Sequence, residues 1–272
     1  SQFIQEDLEP DSDGEYRPVQ ITYEIKIGQR STEAEIHYPI KQFHEIKTSH
    51  AYGLIKADQP DVQASLKLSD QAWHAEDPQE RIRLAKEAIS LWSDCVEAYV
   101  ILGEEAENID DALEFFWKGV KAGDRALDMP KIDLHIGSVW DIYMVRRYLI
   151  AIQGVIECLA EMEEYVSAIP LALRILRFNP ADHQGIRFTF LFILTQLKRD
   201  DSIRELLDQY PEETAAAWPY SRALLEFRQR GENRKSRLLL KEAIECNPVV
   251  PDYLTGKKAI PEELPEYDSF GD

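Results

Sequence analysis

Ala172-Leu-Arg-Ile175-Leu-Arg-Phe-Asn179-Pro180 and Leu240-Lys-Glu-Ala243-Ile-Glu-Cys-Asn247-Pro248 share one pattern, an apolar-periodic helix end stopped by Asn-Pro. Proline disfavours helical geometry in the residue before it, so each Asn-Pro pair punctuates a helix. The two stretches are in register at 248 − 180 = 68 residues, twice 34. The same frame fits Ala85-Lys-Glu-Ala88-Ile-Ser-Leu-Trp92-Ser93, with Ser93 in the proline position. Ser93 and Pro180 are 87 residues apart, 19 more than two such periods, so an insertion lies between them. Its place is Asp124 to Trp140, where Met129-Pro130 and Gly137 interrupt the helical pattern.

A 34-residue period of paired helices is that of the tetratricopeptide repeat. Tyr99, Leu102, Gly103 and Ala106 fall at the signature positions of the first helix of such a pair, and Ala112, Phe116 and Gly119 at those of the second. Small residues at 103, 112 and 119 let antiparallel helices approach, while Tyr99, Leu102 and Phe116 fill the groove between them. Each pair leaves one apolar flank bare and the next pair covers it. The sequence therefore predicts an all-α, tetratricopeptide-like, right-handed α-solenoid with a short N-terminal β-strand or hairpin extension. Helices are expected over 64–75, 79–92, 95–107, 109–122, 139–161, 164–178, 182–197, 200–209, 214–230 and 233–246. Asp182 and Asp200 are expected to cap the helices that follow them, and Gly231 to follow the last turn of its own.

Outside the repeats the pattern changes. Residues 1–15 carry six acids and no base, the composition of a solvated arm. Val19, Ile21, Tyr23, Ile25 and Ile27 then alternate with polar residues, the period of a half-buried strand. A single strand needs a mate, either Ala34 to Tyr38 or another chain. At the far end Pro248, Pro251, Pro261 and Pro265 stop long helices. The expected organisation is an acidic, β-containing extension over 1–60, a helical repeat domain over 61–254 and a Pro-rich acidic tail over 255–272.

Composition excludes several functions. The chain has 272 residues, 31 Lys plus Arg against 50 Asp plus Glu, and a net charge of −19. Such a surface repels phosphate backbones, so nucleic acid is not an expected partner. With 44% hydrophobic residues it can bury a core, yet no stretch approaches the roughly 18 apolar residues a membrane helix needs. Ser1 to Leu8 lacks the basic and apolar regions of a secretory signal. Cys95, Cys158 and Cys246, odd in number and widely spaced, read as core thiols of a reducing compartment, cytoplasmic or nuclear. The six histidines fit no metal-ligand spacing, and there is no HExxH, phosphate loop or nucleophile elbow. No cofactor and no catalysis are expected.

Asp94-Cys-Val-Glu-Ala98-Tyr99-Val-Ile-Leu102-Gly-Glu104-Glu105-Ala106, the Ala112 to Gly123 helix and Asn247-Pro248-Val-Val-Pro251-Asp-Tyr253-Leu254 resemble the suppressor-of-tumorigenicity-7 family and related uncharacterised bacterial, plant and fungal proteins. Val145-Arg146-Arg147-Tyr148-Leu149, Asp182-His-Gln-Gly185-Ile186-Arg187 and Leu264-Pro265-Glu-Tyr267-Asp-Ser269-Phe270-Gly271-Asp272 look like the bacterial and plant branch. The likeness covers about 70–272 and implies a tetratricopeptide solenoid without an established reaction. Animal members are membrane-embedded at their N-terminus and some fungal relatives carry a MYND zinc finger. This sequence shows neither an apolar span nor the finger's cysteines.

Arrays of this kind bind through the concave face made by the first helices of each pair. The repeat frame places Glu97, Val100, Glu104 and Glu107 on that face, followed by Gln153 and Glu157, then Gln184, Arg187 and Leu191, then Arg222 and Glu226. Arg187 and Arg222 are 35 residues apart at equivalent positions, a spacing that would let both grip a peptide carboxylate. The Lys and Asn clamp of chaperone-tail-binding arrays is absent: Val100 with Glu104, and Gln153 with Glu157, stand there instead. Arg146 and Arg147 sit in an apolar helix, so at least one must pair with a carboxylate, with Asp141 and Glu157 as candidates. The expected function is a non-catalytic scaffold holding a peptide or helix of another protein. The alternative is a structural subunit that forms a homo-oligomer or larger assembly through its N-terminal strand.

Overall fold

The computed structural model describes residues 19–27, 30–38, 59–127 and 139–259. The acidic arm over 1–15 and the chain beyond 259 lie outside the described residues, as does most of the irregular connection read between 124 and 140. The elements are β1 (Val19–Ile27), β2 (Arg30–Tyr38), α1 (Pro60–His74), α2 (Pro78–Leu91), α3 (Val96–Glu104) and α4 (Ile109–Ala126). A 3-10 turn over Val139–Asp141 precedes α5 (Tyr143–Glu161), α6 (Tyr165–Phe178) and α7 (Ile186–Gln196). The remaining helices are α8 (Asp200–Gln209), α9 (Ala217–Arg230), α10 (Arg234–Cys246) and α11 (Val250–Leu254). The backbones of β1 and β2 form an antiparallel ladder, with Val19 opposite Tyr38 and Ile27 opposite Arg30.

The helix starts have local causes. Pro78 stands in the first turn of α2, behind Asp77, whose side chain accepts from the Gln79 amide. Asn108 caps α4 by accepting from the Asp111 amide, and Asn233 forms a reciprocal capping box with Ser236 at the start of α10. Gly231 closes α9 at φ +67°, where a side chain would be strained. Neither acid stands at the N-cap position itself. Gly185, at φ +76°, is the residue before α7, while Asp182 is buried at φ +52° in the turn ahead of it. Arg199 precedes α8, so Asp200 is its first residue and supports the helix by charge at the N-terminus.

The chain divides into two compact units, Ser1–Cys158 with Arg177–His183, and Leu159–Leu176 with Gln184–Asp272. In the first, α1 packs on α2 and α3, α2 on α3, and α3 on α4. In the second, α7 packs on α8, α8 on α9 and α9 on α10. Neighbours in sequence are thus neighbours in space, the contact pattern of a helical repeat.

Phe116 of α4 is the wedge of the first unit. A Cβ on Gly103 of α3 would stand 2.8 Å from its ring, and a Cβ on Gly154 of α5 would stand 2.5 Å from it. One aromatic ring therefore fills the space left by two absent side chains, and three helices close on it. Gly119 continues the seam, where an added Cβ would meet Tyr99 and Ala151 at 3.3 Å. The small-residue role read for 103 and 119 holds; Gly154 is the partner it missed. Cys95 and Cys158 are buried and form no disulfide, as expected of core thiols, but Cys246 is exposed. It ends α10, beyond which, among the described residues, only the five-residue α11 is available to cover it.

Gly154→Ala is expected to destabilise the chain by about 1–3 kcal/mol through overpacking, with Phe116→Leu in the same chain recovering part of the loss. Urea denaturation followed by circular dichroism measures both, and additive losses would remove Phe116 as the shared contact.

Candidate functional site

The first unit holds a buried polar cluster in place of an open face. Up to its final residue α3 carries one charge, Glu97, whose side chain is 1% exposed. Val100, expected beside it on the open face, is buried too. A lone carboxylate in such surroundings must be paired and hydrogen-bonded. Arg147 of α5 supplies the pair, its Nε 2.8 Å from Glu97 Oε1 and its side chain 14% exposed. The Ser69 hydroxyl of α1 donates to Oε2 at 2.9 Å, and the Tyr143 hydroxyl donates to the same oxygen. Trp73 and Tyr143 lie against the guanidinium, with ring centroids 4.5 and 5.0 Å from its carbon. Burial, and then the donated bond to Glu97, push the Tyr143 phenol well above its ordinary range.

This corrects two readings. Glu97 is not on a solvated face, because α1 and α5 close over it. Arg147 pairs with Glu97, and Glu157 instead accepts from Gln153; the side chain of Asp141 lies outside the described residues. The signal was in the sequence, since Glu97 is the one charged residue among the first eight of α3 and Arg146-Arg147 are the only bases of α5. The lone acid among those eight residues and one of the two adjacent bases of α5 satisfy one another.

The remaining candidates of the first unit reach solvent. Glu104, at the end of α3, accepts from Arg81 at 3.2 Å, and Arg81 also pairs with Glu105 at 2.6 Å. Partial burial raises the Glu104 carboxyl above its ordinary range, although Arg81 and Arg147 oppose the shift. On α5, Gln153 donates to Glu157 at 2.7 Å, one turn along the helix. Glu104 and Gln153 each adjoin in sequence a glycine that faces Phe116.

In the second unit Arg187 is already engaged. Its Nε and terminal nitrogen donate to Glu213 at 2.8 and 2.6 Å, and its guanidinium carbon lies 4.6 Å from the Phe188 centroid and 5.4 Å from that of Tyr210. Trp218, fully buried, packs edge-on against both rings. Burial pushes the Glu213 carboxyl up, but the Ala215 amide and the Arg187 guanidinium pull it further down, below the ordinary range. Arg222 donates to the Leu207 carbonyl at 3.3 Å. Glu226 is buried under Arg230 and Lys235, both at 3.3 Å, and Gln184 lies half-buried before α7. Neither arginine is a bare cation, and no spacing in the chain marked the loop acid Glu213 as a partner. Among the described residues no group of three or more His, Cys, Asp or Glu is placed to hold a metal ion. No described helix is long and apolar enough to cross a membrane.

Paired helices stacked on their sequence neighbours define a tetratricopeptide-like helical-repeat protein, and comparison with known structures bears this out. YrrB, a tetratricopeptide protein whose crystal structure is described as having an unusual peptide-binding site, superposes with a TM-score of 0.52 at 17% identity over 71% of this chain and 90% of that one. The likeness to the suppressor-of-tumorigenicity-7 family also stands: the family model described as ST7 protein matches residues 43–153. Suppressor of tumorigenicity 7 protein-like from Gallus gallus is 27% identical over 71% of this chain and 39% of its own length. The Homo sapiens protein of that name is 27% identical over 71% and 38%, and the Bos taurus one 28% identical over 71% and 39%. The chain thus spans about two-fifths of the length of the curated relatives it matches.

Glu97→Gln is expected to cost about 3–5 kcal/mol, because it strands Arg147 without its counter-charge, whereas Glu97→Met with Arg147→Met costs less than either change alone. Chemical denaturation of the four chains gives the coupling. Glu213, lowered in the folded state, contributes stability that is fully present above the ordinary carboxylate range and is lost as the pH falls through its lowered folded-state pKa. The stability gap between wild type and Glu213→Gln, followed by thermal denaturation from pH 7 to 3, should close in that window.

Proposed function

We propose that this chain is a non-catalytic protein-interaction scaffold that holds a peptide or helix of another protein against the first helices of its pairs. In this reading residues 61–254 are the repeat domain, wound right-handed, with 1–60 as an acidic, β-containing extension and 255–272 as a tail. The observation that carries it is the division of the candidate residues. Glu97 and Glu226 are consumed by internal pairs, while Glu104 and Glu157 remain exposed beside Gln153. Acids presented from helix to helix suit a basic guest, in keeping with the net charge of −19.

The second unit offers a complementary set, Gln184, Arg187 and Arg222. A guest carboxylate would take the place of Glu213 on Arg187, and the Phe188 and Tyr210 rings would keep the guanidinium in position for the exchange. The peptide-binding site ascribed to YrrB, a protein of the same fold, supports the class of guest. The partner reading needs no metal, cofactor or reaction.

Affinity capture from source-cell extract separates the two sets. Glu104→Lys with Glu157→Lys is expected to lose a partner that wild type recovers, while Arg222→Glu tests the second unit, each variant first shown to be folded by circular dichroism. Equal recovery by all three chains would sink the proposal.

A further inference from the structure

The helix pair α9 and α10 carries an apolar face that nothing covers among the described residues. α9 turns out Leu224 and Phe227, 39% and 54% exposed, and α10 turns out Leu240 and Ile244, 46% and 39% exposed. Tyr220, Leu224 and Phe227 are spaced to share one face of α9, as Leu240, Ile244 and Asn247 share one face of α10. The Tyr220 hydroxyl donates to the Asn247 carbonyl at 2.8 Å, so the two faces adjoin. At a rise of about 1.5 Å per residue in antiparallel helices, Leu224 stands level with Ile244 and Phe227 with Leu240. Four large apolar side chains on two neighbouring helices make a seat for a third helix, as α1 and α2 together seat α3 in the first unit.

The charge beside this seat sets what it takes. Residues 228–241 hold six bases and one acid, in a chain of net charge −19. Arg234, Arg237 and Lys241 follow one another at three- and four-residue intervals, a basic row beside that of Leu240 and Ile244. Arg237 meets Glu232 at 2.9 Å and Lys241 meets Glu245 at 3.6 Å, with all four side chains well exposed. Exposed pairs of this kind contribute little, so a guest carboxylate can replace them at small cost. Arg234 is exposed and meets no carboxylate among the described residues, and Arg230 and Lys235 divide the one carboxylate of Glu226 between them. A positive strip therefore borders an apolar seat on an otherwise acidic protein. From Arg234 to Lys241 it runs about 10 Å, two helical turns.

We propose that the α9–α10 face docks an acidic amphipathic helix of another protein, two to three turns long. Its apolar residues, at every third or fourth position, rest on Leu224, Phe227, Leu240 and Ile244, and a flanking row of Asp or Glu meets Arg234, Arg237 and Lys241. A second copy of this chain is the poorer match, because pairing through the same face brings two basic rows together. The seat lies in the other unit from Glu104 and Glu157 and does not depend on the basic guest proposed for them.

Two labelled synthetic peptides test this on the full chain by fluorescence anisotropy. Both are three-turn helices with the same leucine spacing, one flanked by glutamate and the other by lysine. The net charge of −19 attracts the lysine peptide, so a preference for the glutamate peptide can come only from a local basic strip. The glutamate peptide is expected to bind about tenfold or more tighter than the lysine peptide. Leu240→Ser with Ile244→Ser, and separately Arg234→Glu with Arg237→Glu, are each expected to weaken it by about tenfold, in chains shown to be folded by circular dichroism. Glu104→Lys with Glu157→Lys is expected to leave it unchanged. Equal binding of the two peptides, binding that both seat variants leave intact, or a loss caused by the Glu104 and Glu157 variant overturns the proposal. If wild type takes neither peptide, light scattering identifies what fills the seat. A dimer that Leu240→Ser with Ile244→Ser dissolves assigns it to a second copy, a monomer assigns it to the chain itself, and either result also overturns the proposal.

Discussion

The closeness of three helices around one aromatic ring is the constraint from which the first unit follows. Phe116 can lie where it does only because Gly103 and Gly154 have no Cβ, and the helices that carry them are drawn to a separation other residues would forbid. That closeness brings α5 over α3 and makes Glu97 a buried residue. Once buried, Glu97 needs Arg147, Ser69 and Tyr143. Packing comes first, and the electrostatics are its consequence.

The same logic changes the picture of recognition. In a regular array the first helices line an open face, and a frame drawn from the period alone treats every position on it as available. In the first unit the protein's own Trp73, Tyr143 and Arg147 close around Glu97, and in the second Arg187 is already paired with Glu213. The acids Glu104 and Glu157 stay exposed in the first unit, and the second presents a cation that already holds a carboxylate. In the proposed reading, such surfaces would select guests by charge and by their ability to exchange with an internal partner, without a deep pocket.

Much of this was legible in the residues. The helix ends at Asn179-Pro180 and Asn247-Pro248, the close approach at Gly103 and the closure at Gly231 follow from local rules of sterics and capping. Helix bounds read from periodicity lie within a few residues of those observed. The misreadings share a cause. Asp182 and Asp200 have capping side chains, yet a glycine at positive φ and an arginine hold the cap positions, because turn geometry ahead of a helix depends on packing as well as on residue type. Glu97, Gly154 and Glu213 were missed because their roles depend on contacts with residues 26 to 50 positions away, which a repeat frame does not encode.

The buried pair between α3 and α5 also has a meaning for descent. A change at position 97 that discards the carboxylate leaves an arginine stranded inside the protein, and a change at position 147 leaves the acid stranded in turn. The two sites are therefore bound to a common history: a lineage can cross from this charged arrangement to an oily one only by altering both, or by passing through a weakened ancestor.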